Sequence, residues 1–470
     1  MSLNKFSYQR HKCEVVSAGR CGQDRPMTAA QTFAAYAASL CHAPLPAEVV
    51  HHAKRAIVDW YAALLPGAVE APPTLLEKAL QEDLDRGGAR LALGRAATVR
   101  AAALINGTAA HTVEVDDIYR EAIFHPGAPT IAAALALAQA RGATGLQLIR
   151  GVVAGYEVST RIGAAMGRDH YRHWHNTGTV GTFGAASAAA TLLGLDATRH
   201  AHALCTGATF AAGLQQAFRM DSMSKPLHAG HAAEAGVLAA LAAEQGVTGS
   251  LDVLDGEAGL GRAMSGDVDW AQAVATLGRD FHITRMTFKN HACCGHTFAP
   301  IDGALELRAR MGDVRWQTLQ RVEVATYGPA LAVAGNFHPR TAAEARFSIP
   351  FVVATALIHG SVRLSAFSDE RLSDPDVRAL MARIHLSVDP EIDGRFPGQR
   401  AARLRFTTED GRTGSYLQPT RKGDPEQPLT DDELSGKFLE LAVPVVGSER
   451  AERLLSHLWT LEARAQLLDL

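Results

Sequence analysis

The sequence predicts a mainly α protein, a large all-helical domain with a smaller α+β domain inserted into it. Three observations predict this. Aromatic residues make up only 6% of the chain while Ala and Gly are abundant, a composition that suits closely packed helices better than a β-sandwich. From Met27 to Gln245, apolar residues recur at helical spacing in segment after segment. Beyond residue 280 the pattern turns to short alternating runs, and helical spacing returns after Thr430. A chain of 470 residues is longer than one core usually organises, so two domains are expected. The boundaries fall at 1–26 for a flexible leader, 27–284 and 428–470 for the helical domain, and 285–427 for the α+β domain.

In order, Met27–Leu40 is the first helix, with Thr28 placed to cap it, and Ala47–Leu65 is the second, with Gly67 as its stop. Pro72–Asp85 reads as a third helix ended by Arg86-Gly87-Gly88, and Arg95–Ile105 as a fourth. Thr130–Ala140 follows, closed by Arg141-Gly142, then the longer Thr144–Gly167 with a broad apolar face. Ala185–Leu195 is next. Asp196 caps the following helix, which runs to about Ala212, and Ala232–Gln245 completes the series. Strands are expected at Arg321–Tyr327, Ile384–Pro390, Arg403–Thr408 and Thr413–Leu417, the last two joined by a turn at Glu409-Asp410-Gly411. Helices Ile349–Gly360 and Asp376–Ile384 lie between them. Two helical stretches close the chain from Thr430 onward.

Several functions are excluded by the bulk chemistry. The net charge is −3 and no block of like charge occurs, so nothing supports binding to nucleic acid or an anionic membrane. No charge-free run of about 18 apolar residues appears, and the N-terminus has no apolar signal region. Six cysteines in 470 residues make no disulfide framework, which points to a reducing compartment and a cytoplasmic protein. There is no Rossmann fingerprint, P-loop or G-x-S-x-G elbow.

Chemistry concentrates in polar islands between apolar helices. The densest, Asn106–Pro129, holds His111, Glu114, Asp116, Asp117, Tyr119, Arg120, Glu121 and His125 between two Ala-rich flanks. Burying such an island is costly unless its members pair with each other or with a ligand. A second, Arg168–Gly184, carries His175. A third, Gln215–Gly236, carries Lys225, His228 and His231. A fourth, KNHACCGH from Lys289, adds His291, Cys293, Cys294 and His296. No second cysteine pair stands at zinc-site spacing, so no metal is expected. Histidines, lysines and carboxylates without a recognisable cofactor suit removal of a proton beside a carboxylate or carbonyl, with cations stabilising the enolate-like charge.

The motifs NGTAAHTVEVDD with HPG, GYEVSTRIG, HWHNTGTVGTFG, KPLHAGHAA, FKNHACCGHTFAPID, EARFSIPF and GDPEQPLTDDEL resemble, in order and spacing, the MmgE/PrpD family over residues 30–465. The family includes 2-methylcitrate dehydratase, cis-aconitate decarboxylase and iminodisuccinate epimerase. The resemblance implies an all-helical domain with a smaller α+β lid, a homodimer, no cofactor and a small polycarboxylate substrate. It implies a cleft lined by His125, His175, Lys225 and Lys289, the lysines holding substrate carboxylates and a histidine moving protons. Glu114, Asp116, Asp117, Tyr119, His228, Cys294 and His296 are the further substrate-binding candidates. The reaction expected first is dehydration of the 2-methylcitrate type. Epimerisation of the iminodisuccinate type, decarboxylation of the cis-aconitate type and carboxylate binding without catalysis are the alternatives. Three departures bear on the choice. Relatives resemble D-x-D-D-T where this chain has Glu114-Val115-Asp116-Asp117-Ile118. The path to His125 is one residue longer. Cys294 stands where the decarboxylase-type pattern has a histidine, with His296 two residues on.

Overall fold

The computed structural model describes residues 26–218, 222–312, 314–396 and 398–470. All of the expected leader except Pro26 lies outside the described residues. The first part of the chain forms helices α1 (Ala29–Ser39), α2 (Ala47–Gly67), α3 (Pro73–Ala79), α4 (Val99–Ala110), α5 (Gly127–Arg141), α6 (Gly145–Tyr171), α7 (Asn176–Leu192), α8 (Ala197–Ala208) and α9 (Ser224–Glu244). Local chemistry sets several ends. The Thr28 hydroxyl accepts from Gln31 N–H at 3.3 Å while the Gln31 side chain accepts from Thr28 N–H at 3.1 Å. Asp196 accepts from Arg199 N–H at 2.8 Å. Gly142 ends α5 with a left-handed φ of 64°.

Helix α7 is the centre of the helical block. It is buried along nearly its whole length and packs against α5, α6, α8 and α9. The helices approach closely because the facing residues are small. A Cβ on Gly178 would stand 2.3 Å from the Ala212 carbonyl, and one on Gly181 would stand 2.7 Å from Pro129.

The structure departs from the sequence reading in several places, among them the helix Phe298–Arg310, which was not expected, and three in the first part of the chain. Leu84–Arg90, partly assigned to a helix, is strand β1, paired antiparallel with β2 (Ala96–Ala97) around a register shift between Leu84 and Ala89. Gly87, at φ 84°, lets the strand pass the Ala97 carbonyl where a side chain would collide. Helix α7 starts at Asn176 rather than Ala185, and α9 at Ser224 rather than Ala232. Their first turns carry polar residues and glycines, which mask the apolar period.

The later part contains a four-stranded sheet in the order β4-β3-β5-β6, with β3 at Leu319–Thr326, β4 at Ile384–Val388, β5 at Ala402–Thr408 and β6 at Thr413–Gln418. Strand β4 runs parallel to β3, and the other neighbours are antiparallel. Leu319, Val322, Val324, Ala402, Leu404 and Phe406 are buried, and helix Phe298–Arg310 packs on β5 and β6. The helix Asp431–Val446, followed by a last helix at Ser448–Trp459, packs on α2, where buried Lys437 bonds Asp59 at 2.6 Å. Among the described residues no helix is long and apolar enough to cross a membrane.

Candidate active site

Helix α4 ends at His111, and the chain then runs irregularly to α5. Ile118 forms an isolated antiparallel bridge with Thr287 through bonds of 2.8 and 2.9 Å, which brings the segment leading to Lys289 alongside the island. Tyr119 and Phe124 bridge each other, so the longer path before His125 closes as a small loop. Glu114 sits at φ 61°, in the left-handed region. That turn aims its carboxylate at two lysines. Lys225 Nζ forms an ion pair with Oε1, and Lys289 Nζ lies 3.4 Å from Oε2 and donates to the Glu114 carbonyl at 2.9 Å. Burial pushes the Glu114 carboxyl up, but Lys225 and Lys289 outweigh it and hold it far below the usual carboxylate range.

Asp116, 1% exposed, is the second hub. Its Oδ2 accepts from His111 Nδ1 at 2.7 Å and lies 3.2 Å from His125 Nδ1, a contact without hydrogen-bond geometry. Its Oδ1 is 3.6 Å from Lys289 Nζ. Burial works against the Asp116 charge, yet His125, His111 and Lys289 together keep its carboxyl well below the ordinary value. For Lys289 the balance is the mirror image. Burial lowers its ammonium, Asp116 and Glu114 raise it further, and the net shift is upward.

Four imidazoles adjoin these charges. The His111 ring lies 4.8 Å from that of His125 and 5.5 Å from that of His175. His175 caps α7 and is held by a backbone bond to the Gly213 carbonyl at 2.9 Å. Its Nδ1 is 3.0 Å from His228 Nδ1. Lys225 and His228, three residues apart in the first turn of α9, share one helix face. Burial lowers His125 and His228 to about 4 and His175 well below its normal value. The three are therefore neutral at pH 7. Neutral imidazoles beside fixed cations can accept or relay protons while the lysines hold negative charge.

The structure thus brings Glu114, Asp116, His125, His175, Lys225, His228 and Lys289 together. It turns two other candidates elsewhere. Asp117 accepts from Gly127 N–H at 3.0 Å and Tyr156 O–H at 2.7 Å, so it caps α5 from below, and burial with nearby Asp59 pushes it up to about 8. The Tyr119 hydroxyl contacts Glu121 at 2.7 Å and His282 at 3.0 Å. In KNHACCGH the side chains diverge. His291 bonds Asp302 at 2.8 Å, Cys293 contacts Thr297 at 3.0 Å, and His296 contacts the Tyr327 hydroxyl at 2.8 Å. Burial raises the Cys294 thiol, and Lys289 and Glu114 act on it in opposite directions.

Sequence reasoning passed over His111 as a site residue, although its place five residues before Asp116 at a helix end was a signal. Among the described residues, His111, Asp116 and His125 alone present a set of metal-type donors, within 4.8 Å of one another. Lys289 already supplies positive charge to that carboxylate.

Comparison with known sequences adds an independent line. The MmgE/PrpD N-terminal domain matches residues 31–273 and the MmgE/PrpD C-terminal domain matches residues 291–462. A cis-aconitate decarboxylase-like protein of Aspergillus oryzae is 29% identical over 453 residues, covering 91% of this chain and 93% of the relative. Human cis-aconitate decarboxylase is 28% identical over 372 residues, 77% of this chain and 76% of its own. The cis-aconitate decarboxylase of Aspergillus terreus is 26% identical over 450 residues, 89% and 90% respectively.

Proposed function

The chain belongs to the MmgE/PrpD family, and from that premise we propose that it is a lyase releasing carbon dioxide from a small unsaturated polycarboxylate of the cis-aconitate kind. The sequence alone favoured dehydration. The relatives named above, all three of which align over most of the chain, favour the decarboxylase alternative instead. The observation that carries the reading is the pairing of Lys225 and Lys289 on Glu114 beside the Asp116–His111–His125 cluster.

In this reading a substrate carboxylate enters the field of Lys225 and Lys289. The bond to the departing carboxylate breaks, and its electron pair moves into the conjugated acid that remains. The lysines stabilise that charge as it forms. The arriving negative charge raises the basicity of His125, which takes up one proton and delivers it to the carbanion carbon, ending neutral. One proton is consumed and one carbon dioxide released per turnover. The lid role of residues 285–427, a homodimeric assembly and a cytoplasmic location belong to the same proposal.

The test is incubation with cis-aconitate, citrate, 2-methylcitrate and iminodisuccinate in D₂O, read by mass spectrometry. Loss of carbon dioxide with one deuterium gained at carbon is expected for cis-aconitate. Loss of water alone would restore dehydration. Altered chirality, read by chiral chromatography, with one deuterium gained at carbon and no fragment lost would establish epimerisation. Lys225→Ala and Lys289→Ala should each abolish turnover, and wild-type kcat in either would remove the lysines from the mechanism.

A further inference from the structure

Among the described residues, most cations of this region already hold an acid. Lys225 and Lys289 share Glu114. Arg421 forms a fork on Asp424 with bonds of 2.7 and 2.9 Å. Arg120 pairs with Asp424 and Glu426. Two arginines differ. Arg346 and Arg400 make no side-chain hydrogen bond or ion pair with any described residue, although both are partly buried. Each guanidinium lies over an aromatic ring, Arg346 over Phe367 at 5.4 Å and Arg400 over Phe396 at 5.9 Å. Arg346 Nε is fully buried and unsatisfied. A partly desolvated guanidinium without an anion is costly, and its planar fork matches a carboxylate.

Both flank the same turn. The Arg346 carbonyl accepts from Cys294 N–H at 2.9 Å. A Cβ on Gly295 would lie 4.0 Å from Arg400 Nη1 and 2.9 Å from Arg421 Nη1, so glycine leaves the guanidinium groups their space. This turn begins five residues after Lys289. Burial lowers both guanidinium groups, joined at Arg400 by Arg421; Glu114 acts against it at Arg346, and Tyr327, Asp424 and Cys294 act against it at Arg400.

We propose that Arg346 and Arg400 form a second carboxylate subsite, which holds the substrate carboxylate remote from Lys225 and Lys289 and selects for acids with at least two negative charges. The inference rests on the lyase reading and deepens it. The subsite fixes one end of the acid while the other end enters the lysine field, and a monocarboxylate leaves it empty.

Calorimetric titration of the full chain with propane-1,2,3-tricarboxylate, which has no double bond to react, isolates binding from turnover. Arg400→Gln and Arg346→Gln should each weaken binding by at least about tenfold, and Arg400→Lys by less. The same variants should change the weaker affinity for a monocarboxylate such as butanoate by less than about twofold. Melting curves matching wild type establish that the variants are folded. Wild-type affinity for the tricarboxylate in both glutamine variants, equal losses for both acids, or no tricarboxylate binding by the wild type would overturn the subsite. A wild type that binds the tricarboxylate through these arginines but releases no carbon dioxide from cis-aconitate would overturn the lyase reading and leave the subsite standing.

Discussion

At position 114 the chain holds a glutamate at φ 61°, a backbone conformation disfavoured for any residue with a side chain. Its two lysine partners and the backbone bond from Lys289 hold it there. Glu114→Gln keeps the shape and removes the charge, leaving Lys225 without that counterion and Lys289 with Asp116. We expect kcat/KM to fall by about a hundredfold, measured in steady state on the substrate that the deuterium experiment identifies. A change smaller than threefold would make the ion bridge incidental. The neighbouring histidine pair carries a second expectation. One proton lies between His175 Nδ1 and His228 Nδ1, so His228 decides whether the far nitrogen of neutral His175 carries a hydrogen. His228→Phe removes that control. It should lower kcat about tenfold or more and displace the pH profile of kcat, while the melting temperature stays near wild type. An unchanged profile would assign His228 to packing.

The elements explain what could be read in the sequence and what could not. Thr28, Asp196 and Gly142 mark helix ends because capping is local chemistry, visible within four residues. The strands of the four-stranded sheet fall within a few residues of their expected bounds, and β5 alternates buried and more open positions along its length. The opening turns of α7 and α9 were missed because they hold His175, Lys225 and His228, whose polarity serves the site and hides the helical period. The β1–β2 ribbon was missed because pairing with Ala96–Ala97 is not written in Leu84–Arg90 itself. Arg346 and Arg400 escaped for the same reason, since whether an arginine finds an acid is decided by residues far away in the chain. The small-residue composition, by contrast, translates directly into close helix packing. Gly236 of α9 faces α7 so tightly that a Cβ would stand 2.4 Å from Ala185 Cβ and 2.5 Å from Ala186 N. Gly236→Ala should therefore destabilise the protein by about 1–3 kcal/mol despite its better helix propensity. Denaturant unfolding measures this, and a gain in stability would show that α7 and α9 separate freely.

Across the whole molecule, several imidazoles are buried in neutral form. Burial lowers His200 and His282 to about 3 and His170 to about 4, as it lowers His125 and His228. The unfolded chain binds protons on these groups near pH 6.5, whereas the folded chain resists until much lower pH. Between those values the unfolded state holds more protons, so stability is greatest above about pH 6.5 and falls as the medium is acidified. For a fully buried group such as His200 the loss approaches about 1.4 kcal/mol per pH unit. Melting temperature should fall steadily from pH 7 to pH 5, and His200→Asn should flatten part of that slope. A parallel slope in the variant would place the acid sensitivity elsewhere.

One contact joins the most distant parts of the fold to its chemistry. Lys437 donates to the carbonyl of Val115 at 2.7 Å, between Glu114 and Asp116 and 322 residues away in sequence. During translation the island therefore leaves the ribosome long before the lysine that pins it. The wall of the cleft is complete only once the last helices dock, so a chain interrupted before Asp431 would carry the cleft's acids, lysines and histidines and still lack the strut that sets its two carboxylates in place.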